Sequence, residues 1–406
     1  MDTTSLFAAA LNLPAPWSIS KVEFKPDSAG VMELHIELSF PRGSKFACPE
    51  CDAESTAYDT SPRTWRHLNL FQYKTYIHAD LPRVKCGEHG VKTIKVLWAR
   101  EGSGFTLLFE SWVVELAKHL PVKTIADMVG EQDTRLWRFI KHYVDEARKR
   151  EDYSDVDAIG IDETSKKGHK YVTVVVDLNQ RKVIFATNGK DSTTVKKFVQ
   201  DFKEHRGCPD NIRIVTCDMS LGFKKGIQEN FVNSSTIIDK FHVIKHANEA
   251  VDEVRKAEAK TNFLLKKTKY LWLKNDANLT EAQRTKKKSL QSMHLKTARA
   301  YAMRVELQDI YDSYEGRETA EKRLERLCSW IMHSRLEPMK KFAGTVRNHW
   351  TEILNYFDHK YTNAILEGVN SIIQNIKRRA RGFKNDEYFK TMIYLGCGKL
   401  DLKLVT

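Results

Sequence analysis

From Asp157 to Ile238 the chain reads as strand, strand, strand, helix, strand, helix, strand, and few folds accept that order. Asp157–Asp162 is a short apolar run ending in a carboxylate. Tyr171–Leu178 is rich in β-branched residues, and Lys182–Thr187 is a third run of strand type. Ser192 is placed to cap a helix reaching Glu204. Ile212–Cys217, Leu221–Asn230 and Ser235–Ile238 then follow as strand, helix and strand. This order predicts a mixed sheet with helices on its faces.

The flanking segments have other periods. Ser18–Phe24 and Val31–Leu38 alternate polar and apolar around a Pro26–Gly30 turn, and Tyr73–Leu81 alternates again. From Phe105 the period is helical: Leu107, Leu108, Trp112, Val113, Leu116 and Leu120 recur at steps of three and four until Pro121. Val122–Val129 is a second helix, and Asp133 caps a third from Thr134 to about Arg150. Glu151–Asp155 reads as a polar linker. Beyond Phe241 the pattern is helical, with Pro338 the one proline in residues 242–358. Trp272, Trp330 and Trp350 of this stretch read as core. Residues 361–381 and Glu387–Gly396 form the last helices. A chain of 406 residues exceeds one ordinary core, so two to four domains are expected.

Charge points to the partner. Lys+Arg 66 minus Asp+Glu 53 leaves +13, with a pI near 9.2, which favours a polyanion such as nucleic acid. Apolar residues at 41% exclude a mainly disordered chain. No apolar run approaches the ~18 residues of a membrane span. Met1-Asp2-Thr3-Thr4 carries no basic region before an apolar one, so a cytoplasmic protein without a membrane partner is expected.

Seven cysteines in so long a chain are not a disulfide framework. Cys48-x2-Cys51 and Cys86-x2-His89 instead have the spacing of zinc knuckles, since thiolate and imidazole suit tetrahedral zinc. Buried thiols beside a surface histidine are the plainer alternative, and His67 or His78 are substitutes for His89. Arg63, Trp65, Arg66, Arg83 and Lys85 lie nearby and make this module a candidate for DNA contact. The three helices after Phe105 fit a helix-turn-helix, with Ala126 allowing close packing and Gly130 the turn. The helix from Thr134 carries Arg135, Trp137, Arg138 and Lys141, residues suited to a major groove.

A carboxylate set stands in the mixed-sheet region. Asp162 ends the first strand there and Asp218 follows Ile212–Cys217; on adjacent strands the two sit side by side. Glu367 shares a helix face with Asn363, Asn370, Ser371 and Gln374. Converging carboxylates with hard oxygen ligands suit a pair of magnesium or manganese ions in phosphoryl transfer. Glu163 and Asp157 compete for the first position, and a lone aspartate at a strand end is more often a cap. Five of the eight residues Lys377–Lys384 are basic, which suits a phosphate backbone. His242-x3-His246 reads as a surface or supporting pair, and Ser220 is no nucleophile candidate. No Gly-x4-Gly-Lys-Ser/Thr loop is present, so ATP dependence is not expected.

The chain resembles bacterial insertion-sequence transposases of the ISL3 family. The resemblance rests on Arg63–Leu68, Pro82–Cys86, Ile159–Glu163, Cys217–Ser220, Asp239–Val243, and Glu367–Asn370 through Arg381–Phe383. It implies a multidomain α+β protein. A zinc-binding β module (1–100) and a helix-turn-helix (101–152) would precede a ribonuclease-H-like mixed α/β catalytic domain (153–245 and 359–406) carrying a helical insertion (246–358). The Asp-Asp-Glu triad would fall on Asp162, Asp218 and Glu367, holding two Mg2+ or Mn2+. One structural Zn2+ would sit on Cys48, Cys51, Cys86 and His89, the last standing where the family is expected to have cysteine. DNA contacts would come from Arg66, Arg135, Arg138, Lys141, Lys377, Arg378, Arg379 and Arg381. The partners implied are double-stranded DNA, both inverted-repeat ends and target, and further copies of the chain in a homodimer or higher oligomer at the bacterial nucleoid. The competing reading is a zinc-finger and helix-turn-helix regulator whose nuclease-like domain is inactive.

Overall fold

The computed structural model describes residues 4, 7–8, 11–166, 170–219, 221–274, 276–313, 316–359, 361 and 364–405. Met1–Thr3, Ser220 and Asn363, which entered the sequence reading, lie outside these. The chain divides into two compact units. One is Met1–Lys149 with Ile376–Leu395 and Leu400–Thr406; the other is Arg150–Asn375 with Gly396–Lys399.

In the first unit the expected hairpin forms antiparallel strands β1 (Ser18–Pro26) and β2 (Met32–Ser39). Asp27 shapes the turn by accepting from the N–H groups of Ala29 and Val31. Strands β3 (Lys45–Ala47), β4 (Glu54–Leu70), β5 (Tyr73–Cys86) and β6 (Gly90–Thr93) complete a sheet of order β1-β2-β5-β4-β3, with β6 on β5. Alternation puts Leu34, Ile36 and Leu38 of β2 and Ile77, Ala79 and Leu81 of β5 into one core with Trp17, Phe46 and Trp65.

Three helices follow as expected: α1 (Leu107–Ala117), α2 (Val122–Val129) and α3 (Asp133–Lys149). Thr106 caps α1 by accepting from Phe109 N–H at 3.3 Å. Gly130 ends α2 at φ +69°, and a Cβ there would meet Lys74 Cε at 2.6 Å. Ala126 is wholly buried, as close helix packing requires. The C-terminal helix Asp386–Cys397 contributes to this unit, where Tyr388 stacks on Trp137 with centroids 4.1 Å apart.

The second unit carries the mixed sheet: β7 (Ala158–Lys166), β8 (Lys170–Asp177), β9 (Lys182–Asn188), β10 (Ile214–Cys217) and β11 (Ser235–Ile238). Its order is β11-β10-β7-β8-β9, with β7, β8 and β9 antiparallel in turn and β10 parallel to both β7 and β11. Helices α4 (Ser192–Glu204) and α5 (Leu221–Asn230) supply Val195, Phe198, Phe202, Phe223 and Ile227 to a core with Ile159, Ile161, Val175 and Val215. The expected linker Glu151–Asp155 is anchored here: Tyr153 is buried against Phe202 and donates to Ile184 O, and Glu151 pairs with Lys182. Local polarity concealed that one aromatic anchor.

From Lys240 to His359 the described residues are helical: α6 (Lys240–Glu258), α7 (Lys269–Leu273), α8 (Glu281–Gln291), α9 (Lys296–Asp312), α10 (Arg317–Met332), α11 (Glu337–Asn348) and α12 (Trp350–His359). Trp272 is core as expected, but Trp330 is 43% exposed. Helix α13 (Ala364–Arg379) follows, then α14, the helix Asp386–Cys397. No helix among the described residues is long and apolar enough to cross a membrane.

Candidate metal centres and nucleic-acid interface

The two ligand pairs of the first unit are joined by the β4–β5 hairpin, whose register sets Ala57 opposite Val84 and so carries both chain ends back to one place. At the first pair, Cys48 N–H bonds to Ala53 O and Asp52 takes φ +58°; at the second, Gly90 takes φ +70° opposite Cys86. These left-handed residues close the two turns. Ligand atoms of Cys48, Cys51, Cys86 and His89 all lie within 4.8 Å of one another. Cys51 Sγ is 3.6 Å from Cys86 Sγ, and His89 Nδ1 is 3.6 Å from Cys86 Sγ. A tetrahedral zinc with ~2.3 Å bonds separates its sulfur ligands by about 3.8 Å, so the donor set fits. The backbone N–H groups of His89 and Glu88, with the His89 ring, pull the Cys86 thiol down to about 6, which favours the ligating thiolate. His67 and His78 lie elsewhere: His67 bonds Thr106 Oγ1, and His78 bonds His35 and Thr64.

The basic residues of this unit separate into two groups. Arg66 is 1% exposed and contacts His67 O, Asn69, Thr75 O, Val129 O and Glu131, with its guanidinium over the Tyr76 and Phe109 rings. It therefore joins the sheet to the helices, and the expectation that it contacts DNA is corrected: no face of it is left for a phosphate. Trp65 is likewise core. Arg135 stacks on Phe105 and pairs with Glu131, while Lys141 pairs with Asp145 at 2.6 Å. Arg138 is exposed on the outer face of α3. At the end of α13, Arg379 donates to Lys118 O and His119 O, closing the C-terminus of α1; Arg378 and Arg381 are exposed and Lys377 is half-buried. A cleft of about 1000 Å³ in the same unit is lined by Arg63, Lys92, Lys95 and Arg100.

In the second unit, β7 pairs with β10 only as far as Gly160, opposite Thr216, but continues along β8 to Lys166. Asp162 is thus inside a strand rather than at its end, with its β10 side uncovered. Continuing the register sets Asp218 level with Asp162, and β11, pairing Ile238 with Cys217, sets Asp239 level with Asp218. Three aspartates accordingly stand in a row, Asp162 within β7 and Asp218 and Asp239 just past β10 and β11. Helix α13 lies against β7: Leu366 packs where a Cβ on Gly160 would be, 2.8 Å from its Cδ1, and Asn370 Nδ2 donates to Asp162 Oδ2 at 2.5 Å. Gln374 donates to Thr164 Oγ1 at 2.8 Å. Between these contacts Glu367 is exposed, within electrostatic reach of Asp239.

The electrostatics are those of crowded acids. Burial raises the Asp162 carboxyl, opposed by the Glu163 N–H and by His242, and the Asp218 charge raises it further. Burial and Asp218 also raise Glu163. Asp239 is pushed up to about 6, first by burial, and its side chain caps α6 through Phe241 N–H. Asp157 is at the far end of β7, bonded to Asn179, and drops out of the competition. Asp239 escaped sequence reasoning as a member of this cluster, although the signal was there: Asp239 follows Ser235–Ile238 as Asp218 follows Ile212–Cys217. His242, read as a surface or supporting residue, faces this cluster.

Residues 159–393 match the DDE transposase family of ISL3 type, described as a transposase. Residues 94–144 match the helix-turn-helix domain of transposase family ISL3, and residues 44–89 the zinc-finger of IS204/IS1001/IS1096/IS1165 transposases. The transposase for insertion sequence element IS1557 of Mycobacterium tuberculosis is 27% identical over 426 residues, covering 95% of this chain and 94% of that protein. The transposase for IS1001 of Bordetella parapertussis is 25% identical, covering 92% of this chain and 93% of that protein. A Drosophila P element transposase strand transfer complex aligns with a TM-score of 0.39 and 12% identity over 74% of this chain and 95% of that one.

Proposed function

The chain belongs to the ISL3 family of transposases, and from that premise we propose that it binds the inverted-repeat ends of an insertion sequence, cuts there and joins the exposed 3′-hydroxyls to target DNA. The observation that carries the chemistry is the placement of Asp162 and Asp218 level on adjacent parallel strands, with the Glu367 helix pinned to the same strand by Leu366–Gly160 and Asn370–Asp162. The strand order β11-β10-β7-β8-β9, with its antiparallel and parallel halves, supports a ribonuclease-H-like reading of this unit.

Asp162, Asp218 and Glu367 would hold two Mg2+ or Mn2+, whose chemistry is to activate the attacking water or 3′-hydroxyl and to stabilise the leaving oxygen. Asn370 holds Oδ2 of Asp162 and the Glu163 N–H holds Oδ1, which together fix the carboxylate. Crowding of Asp162, Glu163, Asp218 and Asp239 makes the site receptive to cations and repels DNA without them. No side chain serves as a covalent nucleophile. Zinc on Cys48, Cys51, Cys86 and His89 is structural, closing the module that precedes the helix-turn-helix. Arg138, supported by Arg135 and Lys141, would read base edges, and Lys377, Arg378 and Arg381 would hold phosphates. Joining two ends calls for a homodimer or higher oligomer on DNA.

The test is cleavage of labelled end DNA with magnesium by the wild type and by Asp162→Asn, Asp218→Asn and Glu367→Gln. Wild type cuts and all three variants bind without cutting. Normal cutting by Glu367→Gln overturns the triad; a folded wild type that binds its end DNA yet never cuts it with magnesium or manganese overturns the enzyme reading in favour of a regulator.

A further inference from the structure

Between α6 and the residue after α7 the surface combines exposed lysines with exposed rings. Residues 260–274 hold five lysines (Lys260, Lys266, Lys267, Lys269 and Lys274) and no acid. All five are exposed, and among the described residues no carboxylate forms an ion pair with any of them. Interleaved with them, Phe263 is 69%, Leu264 56% and Tyr270 64% exposed. Isolated exposed apolar residues are ordinary, but three in eight positions among unneutralised cations are not.

The segment is not a loosely held loop. Leu265, Thr268 and Trp272 are buried at 0%, 0% and 1% exposure. Asn262 caps the Phe263–Leu265 turn through Leu264 N–H at 3.1 Å. Thr268 Oγ1 donates to Leu265 O at 2.7 Å and accepts from Trp272 Nε1 at 3.3 Å. Arg255 donates to Leu265 O. Lys267 sits at φ +59°, a conformation that lysine rarely adopts and that these anchors impose. The anchors fix the backbone so that Phe263 and Tyr270 point outward, with Lys266 Nζ 4.2 Å from the Phe263 ring centroid and Lys269 Nζ 5.9 Å from that of Tyr270.

We propose that Phe263 and Tyr270, with the five lysines around them, form a docking surface for a single DNA strand, the rings stacking on unpaired bases and the lysines holding phosphates. The juxtaposition of presented rings with unneutralised cations is what single-strand binders use, because every base has a face to stack and every phosphate a charge. The location agrees. Helix α6 begins at the Asp239 cap, in the carboxylate cluster, and its 19 residues run about 28 Å to this patch, the length of about eight stacked nucleotides. A groove along α6, lined by Phe241, Lys245, Asn248 and Lys269, runs between the two; its wall also holds Glu249, Asp252 and Glu253, of which Asp252 pairs with Arg255 and Lys256 and Glu249 with His246. The inference rests on the transposase reading only in naming the strand, which is the one continuing from an opened DNA end.

Binding of full-length protein to labelled oligothymidylate, and to a duplex of unrelated sequence, is measured in EDTA. Phe263→Ala and Tyr270→Ala each weaken oligothymidylate binding about tenfold, change duplex binding less than about twofold, and are rescued by Phe263→Trp and Tyr270→Phe. Unchanged oligothymidylate affinity in the double alanine variant overturns the proposal, as does equal loss on both DNAs. Ring-dependent capture of equimolar phosphatidylcholine–phosphatidylserine vesicles, without ring-dependent strand binding, reassigns the patch to a lipid surface and overturns it too. Because no cleavage is read, a chain that never cuts DNA leaves this result standing, and failure here leaves the cleavage assay untouched.

Discussion

The zinc knuckles and the carboxylate cluster are both cation sites, and they are built in opposite ways. In the first unit, two short-spaced pairs are brought together by one hairpin, and Cys48 also holds its own turn through bonds to Ala53 and Asp52. In the second, the carboxylates come from far-separated positions: Asp162 inside β7, Asp218 just past the end of β10 and Glu367 on α13. At the knuckles the ligands are part of the architecture. At the cluster the architecture is complete, and the acids are an electrostatic burden on it: burial raises Asp162 and Asp239, and their neighbours' charges add to that. Removing a ligand should therefore have opposite consequences at the two sites.

The largest effect is expected at the knuckles. Chelating zinc, or replacing Cys48 by Ser, should unfold the β3–β6 part of the first unit, since binding free energy at structural zinc sites is folding free energy, on the order of 10 kcal/mol. Metal analysis should find one zinc per chain in the wild type and less in the variant. Retained zinc and unchanged amide exchange in Cys48→Ser would break the comparison at once.

Next comes the cluster. Asp162→Asn, Asp218→Asn and Glu367→Gln should each lower the cleavage rate on the order of a thousandfold, because each removes several kcal/mol of transition-state charge stabilisation. Yet the metal-free melting temperature of Asp218→Asn should stay level or rise, as one of the charges that raise Asp162 and Glu163 is gone. A fall in melting temperature would show that the acids support the fold after all.

This contrast also explains what could be read from the sequence. The knuckles were legible because only two residues separate the ligands of each pair and the turn chemistry is local. The order of strands and helices in the second unit was legible for the same reason, each element announcing its own period. The Asp162–Asp218 juxtaposition followed from strand order. The contacts that place Glu367 did not, because Leu366 over Gly160 and Asn370 on Asp162 span about half the chain. Asp239 was hidden by its ordinary second role as a helix cap. Arg66 misled for the converse reason: a basic residue near a DNA-binding motif looks exposed until Phe109, Val129 and Glu131 close over it.

Arg66 therefore gives the third test. Arg66→Ala leaves three backbone carbonyls without their donor and takes from the nearly buried Glu131 one of its two cationic partners, and should destabilise the first unit by about 3–5 kcal/mol. Arg66→Met, which keeps the apolar contacts with Tyr76 and Phe109, should recover only part of that loss. DNA affinity per folded molecule should be unaltered in both, measured by titration below the melting transition. If Arg66→Ala melts normally but binds DNA weakly, the residue is a contact and not a hub.

The smallest effects separate the exposed cations from one another. Arg138 lies on the outer face of α3, the helix proposed to read base edges, and is exposed. Arg138→Ala should cost about 1–3 kcal/mol on end DNA and little on unrelated duplex, because only base-edge contacts distinguish sequences. Arg378, at the end of α13, belongs to a run of basic residues with no helix face aimed at base edges. Arg378→Ala should weaken every duplex alike and reduce the slope of log affinity against log salt by about one, the release of a single counterion. Titrations of both variants on end and unrelated DNA across a salt series decide the matter. A changed sequence preference in Arg378→Ala with an unaltered slope would move base reading out of the helix-turn-helix. The two residues would then exchange roles, and base reading would belong to the end of α13 rather than to α3.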